Sequence, residues 1–151
     1  MKIKSITIKC DALLLKQRKI GISDRRYPVI MGVLMSNVHN AWMRVVCGRL
    51  EMRYRYSVNI VYNNFPWCSP TSEQKARIEQ TAQAILDARA LYPDCSLADL
   101  YDELTMPPEL RKAHHANDFA VMAAYGFPKN ITESECVAEL MRLYREMTEK
   151  K

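Results

Sequence analysis

The rhythm of apolar and polar positions changes close to residue 70. Beyond it, apolar residues fall three and four apart, as on one face of an α-helix. "PTSEQKARIEQTAQAILDARALYP" opens with Thr71 as an N-cap and Gln74 three residues on, sets Ile78, Ala82, Ile85 and Leu86 at helical spacing, and stops at Pro93. Ser96 and Asp99 form a second capping-box pair over "SLADLYDEL". A third helix starts at Pro107 or Pro108 and ends at Gly126. The last begins at the Thr132 and Glu135 box and carries an apolar stripe of Val137, Leu140, Met141, Tyr144 and Met147. Residues 68–151 therefore read as a helical unit.

Before residue 68 the pattern is mixed. "IKSITIKC" alternates isoleucine with polar residues and predicts a strand. "SVNIVYNNF" predicts another, with Val58, Ile60 and Tyr62 on one face and Asn59 and Val61 on the other. Between them "SNVHNAWMRVVCGR" predicts a helix capped by Ser36 or Asn37, burying Val38, Trp42, Val45 and Val46 and closed by Gly48. The fold expected is α+β and mainly helical: a small strand-containing N-terminal part over residues 1–67, then a C-terminal helical unit over 68–151. Some sixty residues are thin for a free-standing mixed domain, so the first part is expected to lean on the helical half or on another chain.

Charge sharpens the division. Residues 1–67 hold 12 Lys and Arg against 3 Asp and Glu, whereas residues 68–151 hold 10 against 14. A basic half joined to an acidic half points the basic one at a polyanion, with duplex DNA or RNA first and a merely solvated basic face as the alternative. A hydrophobic fraction of 48% without an apolar run of membrane-spanning length argues for a cytoplasmic protein with no membrane contact. The N-terminal segment lacks a small-residue cleavage site, which argues against a signal peptide. Cys10, Cys47, Cys68, Cys95 and Cys136 are far apart, without C-x-x-C, and predict reduced thiols rather than a metal or disulfide framework.

Catalytic chemistry finds little support. Asn64-Phe65-Pro66-Trp67 approaches the [N/D/S]-P-P-[Y/F/W] loop of amino-methyltransferases, but it fails at the first proline, and four glycines offer no G-x-G turn for S-adenosylmethionine. A strand exit is the better reading of that tetrapeptide. His114 and His115 point about 100° apart on a helix and cannot share a metal, and Asp99, Asp102 and Glu103 suit cap and surface roles. No catalytic residue, metal or cofactor is assigned to this chain. The segment "RLEMRYRYS" is richer. As an extended strand it puts Glu51, Arg53 and Arg55 on one face and Met52, Tyr54 and Tyr56 on the other. Such a charged face suits base edges and phosphates, while a surface ion pair of Glu51 with Arg53 over inward tyrosines is the plain alternative.

The motifs A-W-M-R, C-G-R-L, Y-R-Y-S, Y-N-N-F-P-W, L-D-A-R, Y-P-x-x-S-L-A-D-L-Y-D and M-P-P-E-L-R-K-A-H run from about Gly32 to Phe127. Together they closely resemble the C-terminal end of MmeI-like type IIG and IIL restriction-modification enzymes and related DNA methyltransferases. The resemblance implies the end of a target recognition domain followed by a small helical domain. It also implies that the nuclease and the S-adenosylmethionine-dependent adenine methyltransferase lie far upstream. The family's base-specifying pair falls after C-G-R-L, which here gives Glu51 and Arg53, with Arg25, Arg26, Arg49 and Arg55 left to neutralise phosphates. "SDRRY" resembles an earlier segment of the same recognition domain, which here joins Met31-Gly32-Val33-Leu34 directly through Pro28 to Met31. That shortening implies a fragment or remnant, non-catalytic by itself, contributing sequence-specific duplex DNA binding. Alternative roles are a helical protein-interaction module docking on a methyltransferase or nuclease chain, self-association through the last helix, or a folded remnant without activity.

Overall fold

The computed structural model describes residues 27–50 and 53–150, with the hairpin strands as backbone alone. In chain order the elements are α1 (Tyr27–Leu34), α2 (Asn37–Val46), a ribbon of β1 (Gly48–Leu50) and β2 (Arg53–Arg55), a π-helical turn (Val58–Tyr62), α3 (Ser72–Ala90), α4 (Leu97–Leu100), α5 (Pro108–Tyr125) and α6 (Glu133–Glu149). The expected α+β class is overturned, although its mainly helical character holds. The only paired extended residues among those described are the three-residue strands of the ribbon, too small to form a sheet with a core face. "IKSITIKC" lies outside the described residues.

The second expected strand, "SVNIVYNNF", is the π-helical turn. The Asn63 N–H donates to Val58 O five residues back, and Asn64 Nδ2 donates to the carbonyls of Asn59 and Ile60 at 3.1 and 3.0 Å. Trp42 Nε1 takes the Val61 carbonyl at 3.0 Å. These bonds satisfy backbone groups that a lone strand would leave bare, and tertiary context overrides the alternation. Neither predicted face survives as a result: Val61 is fully buried while Asn59 is exposed, and Val58 and Ile60 are exposed while Tyr62 is partly buried.

The caps form where the sequence places them. Thr71 with Gln74, Ser96 with Asp99 and Thr132 with Glu135 are complete capping boxes, each stabilising its helix by about 1 kcal/mol. Ser36 caps α2, and Gly126 at φ 73° closes α5 with its N–H on the Ala123 and Met122 carbonyls. Only glycine takes that left-handed conformation cheaply.

One core runs through the molecule. Helix α3 packs against both α5 and α1, and α2 packs against α6. Met31, Val33, Leu34, Val38, Trp42 and Phe65 from the first half interleave with Ile78, Ile85, Leu110, Val121 and Leu140 from the second. Gly32 lets α1 approach α3, because a Cβ there would stand 2.5 Å from Ile78 Cγ2. In the same junction the buried Asn117 donates Nδ2 to Gly32 O at 2.8 Å and accepts from Thr81 Oγ1 at 3.0 Å. Val45, expected inside, is exposed. The α6 stripe is largely consumed within the chain: Leu140 is buried, Val137, Met141 and Tyr144 are partly so, and Met147 is exposed. Among the described residues, no helix is long and apolar enough to cross a membrane.

Candidate nucleic-acid interface

The arginine-rich ribbon grows directly from the end of α2. Cys47 is buried and extended, with its N–H still on the Met43 carbonyl at 2.9 Å, and β1 starts at the next residue. Strand β2 returns antiparallel, pairing Gly48 with Arg55, Arg49 with Tyr54 and Leu50 with Arg53. Cross-strand partners share a face and neighbours alternate. Arg53 and Arg55 thus occupy positions on one face, two residues or about 6.8 Å apart, and Arg49 with Tyr54 occupies the opposite face. Glu51, Arg25 and Arg26 lie outside the described residues. Of the six residues singled out for DNA contact, three are therefore gathered in the ribbon.

The ribbon's return is anchored by groups that sequence patterning overlooked. His39 is fully buried in α2, and its Nε2 lies 3.0 Å from the Tyr56 hydroxyl, one residue beyond β2. The imidazole and the Phe65 ring meet edge to face at a centroid distance of 4.7 Å. Burial pushes the His39 pKa down to about 3, so the ring is neutral at ordinary pH. A few residues on, the Trp42 indole holds the π turn through Val61 O. The available signal was the three-residue spacing of His39 and Trp42, which puts both on one helical face.

Asn64-Phe65-Pro66-Trp67 is occupied with structure. The Asn64 amide caps the π turn, and Phe65 is 1% exposed and meets His39, Trp42, Trp67 and Tyr125 in edge-to-face contacts. The Tyr125 hydroxyl donates to Pro66 O at 2.8 Å. The tetrapeptide thus joins the ribbon's mount to α5.

Elsewhere, His114 and Tyr101 meet at 2.6 Å while Arg89 donates Nε and Nη2 to the same hydroxyl at 3.0 and 2.8 Å. With two donors on its oxygen, the Tyr101 hydroxyl gives its own proton to His114 Nε2. Burial, then the Arg89 and His115 charges, lowers the His114 pKa to about 4. Asp118 accepts the Asn37 N–H at 2.9 Å, and burial raises its carboxyl to about 6. Asp99 serves as a cap and Asp102 accepts from Leu104 N–H. Among the described residues, no group of three or more His, Cys, Asp and Glu side chains is placed to hold a metal ion.

Comparison with known proteins bears on this arrangement. The family model described as the MmeI target recognition domain matches residues 11–69, and that of the MmeI C-terminal domain matches residues 70–150. Over 121 residues the chain is 40% identical to DNA methyltransferase A of Bacillus subtilis (strain 168), a match covering 80% of this chain and 14% of that protein. A solved structure described as the type IIL restriction-modification enzyme MmeI in complex with DNA superposes with a TM-score of 0.78 at 53% identity, covering 81% of this chain and 16% of that one. The chain therefore spans a small part of either relative's length.

Proposed function

The chain belongs to the MmeI family, and from that membership we propose that it is the DNA-recognition portion of a restriction-modification enzyme, contributing sequence-specific duplex binding and no catalytic group. The observation that carries this reading is the arginine ribbon on its buried mount. A two-stranded ribbon fits the major groove of B-DNA, which is about 8.5 Å deep. If the tip of the ribbon enters first, Arg53 reaches the groove floor. Arg55, about 6.8 Å back toward the root, then stands near the phosphate rim. Arg49 holds a register position on the opposite face, on the side of the other groove wall.

In this division of labour Glu51 and Arg53 read base edges, Glu51 accepting from cytosine N4 and Arg53 donating to guanine O6 and N7. Arg25, Arg26, Arg49 and Arg55 neutralise phosphates and fix the register. Methyl transfer and cleavage, with S-adenosylmethionine, belong to other parts of such an enzyme. The occupation of the α6 stripe inside the chain favours DNA over self-association as the principal partner.

The test is binding to a randomised duplex pool, read by sequencing, together with anisotropy against salt. Arg53→Ala is expected to relax preference at one base pair by about 1–3 kcal/mol. Arg55→Ala is expected to weaken every duplex and to reduce the slope of log K on log salt by about 1. Equal losses on every sequence for both variants would refute the assignment.

A further inference from the structure

We infer that His39 and Tyr56 are positioning residues for sequence reading: their hydrogen bond fixes the angle at which the ribbon leaves α2. The inference rests on the DNA-reading role proposed above. It starts from a polar pair that stability alone does not explain. His39 is 0% exposed, its Nε2 meets the Tyr56 hydroxyl at 3.0 Å, and its Nδ1 is buried without a hydrogen-bond partner. An orphaned buried N–H is rarer than an under-used acceptor, which puts the proton on Nε2. His39 then donates and the Tyr56 oxygen accepts. A leucine would fill the same space beside Phe65 without leaving a nitrogen unpaired. The imidazole is therefore kept at a cost in stability, in the helix from which the ribbon departs.

What the bond supplies is leverage. Tyr56 is the first residue beyond β2, and Arg53 lies three residues farther out, about 10 Å along an extended strand. A swing of about 10° at the root moves the Arg53 position by nearly 2 Å, beyond the roughly 0.5 Å within which a binding constellation must be held. The outgoing strand is fixed by covalent continuity with α2 through the buried Cys47. Among the described contacts, the returning strand is tied to α2 by the His39 to Tyr56 bond and then by Trp42 Nε1 on Val61 O. Losing it leaves the ribbon attached and charged, hence still able to bind phosphates, but loosely aimed.

The experiment compares the wild-type chain with Tyr56→Phe, His39→Leu and His39→Gln on the randomised duplex pool, with thermal unfolding of each alongside. Tyr56→Phe and His39→Leu are expected to reduce base preference at the ribbon-read positions by about tenfold. Total binding to the pool at low salt should stay within about twofold, and His39→Leu should unfold no earlier than wild type. His39→Gln, whose amide can donate to the Tyr56 oxygen, should recover most of the preference. An unchanged motif in both Tyr56→Phe and His39→Leu would overturn the positioning role. A wild-type chain that enriches no motif would instead overturn the DNA-reading role beneath it. Should His39→Leu fail to fold, Tyr56→Phe, which removes only a hydroxyl from a half-buried side chain, decides the matter.

Discussion

Asn117 ties three helices together, and its amide chemistry allows a prediction that separates hydrogen bonding from packing. The residue is fully buried, donates to Gly32 O at 2.8 Å and accepts from Thr81 Oγ1 at 3.0 Å. Gly32 O sits at the end of α1, where Ser36 N–H has turned to the Val33 carbonyl instead, so Asn117 serves an otherwise orphaned acceptor. Asn117→Leu keeps the volume and strands that carbonyl, for a cost of about 1–3 kcal/mol that is independent of pH. Asn117→Asp replaces the donating nitrogen with an oxygen facing Gly32 O. The carboxyl must hold its proton to donate, which raises its folded pKa above the unfolded value near 3.9. A raised carboxyl pKa favours the folded state only while protonated, so between the unfolded and the folded pKa the penalty relative to wild type grows with pH by about 1.4 kcal/mol per unit. Urea unfolding at pH 5.5 and 7.5, each variant against wild type at the same pH, reads the effect. Two units correspond to at most about 2.7 kcal/mol, or a little over 1 M in midpoint at an m-value of about 2 kcal/mol/M. Equal penalties for Asn117→Asp at the two pH values would refute this account of the junction.

Three further outcomes follow from the same geometry. His39 and His114, held near 3 and 4, must be charged on unfolding, so their stability is fully present above pH 6.5 and is lost as pH falls; Asp118, held near 6, takes its proton in the folded state first and offsets one of them between pH 6 and 3.8. Stability should therefore fall by about 1.4 kcal/mol per unit between pH 6.5 and 5, and a urea midpoint flat from pH 7 to 5 would contradict it. Trp42→Phe removes the donor on the buried Val61 carbonyl and should cost about 1–3 kcal/mol, with faster amide exchange at Val61 and Asn63 as the local sign; exchange unchanged there would show that the indole does not hold the π turn. Gly32→Ala forces its Cβ to 2.5 Å from Ile78 Cγ2 and should lower the melting temperature by several degrees, whereas no loss would mean that α1 and α3 part freely.

What the sequence disclosed depended on the range of the forces involved. Capping boxes are agreements between residues three apart, and all three were legible in the pattern. The π turn was not, since its alternation of Val58, Ile60 and Tyr62 is what a strand would show. Its decisive bond comes from Trp42, nineteen residues earlier. Val45 misled for a related reason. It shares a helical face with the buried Val38, Ala41 and Trp42, but it lies in the last turn of α2, where it stays exposed. The arginines of the ribbon stood out by composition and by family resemblance, whereas the register that puts Arg49 opposite Arg53 and Arg55 required the pairing itself.

The same long-range bonds explain why a recognition ribbon would come with a helical partner. A two-stranded ribbon is marginal by itself, and these strands are only three residues long. Its rigidity has to be borrowed from α2, which is pinned on several sides. Asp118 and Met122 of α5 take the backbone N–H and side-chain amide of Asn37, Glu133 of α6 pairs with Arg44 at 2.9 Å, and Tyr144 of α6 lies against Trp42. The exposed ion pair contributes little, so the weight falls on the buried contacts around Trp42 and Phe65. On the proposed reading, helices α5 and α6 would thus act on base recognition through α2. They fix α2, α2 fixes the root of the ribbon through His39 and Trp42, and the root fixes where Arg53 arrives.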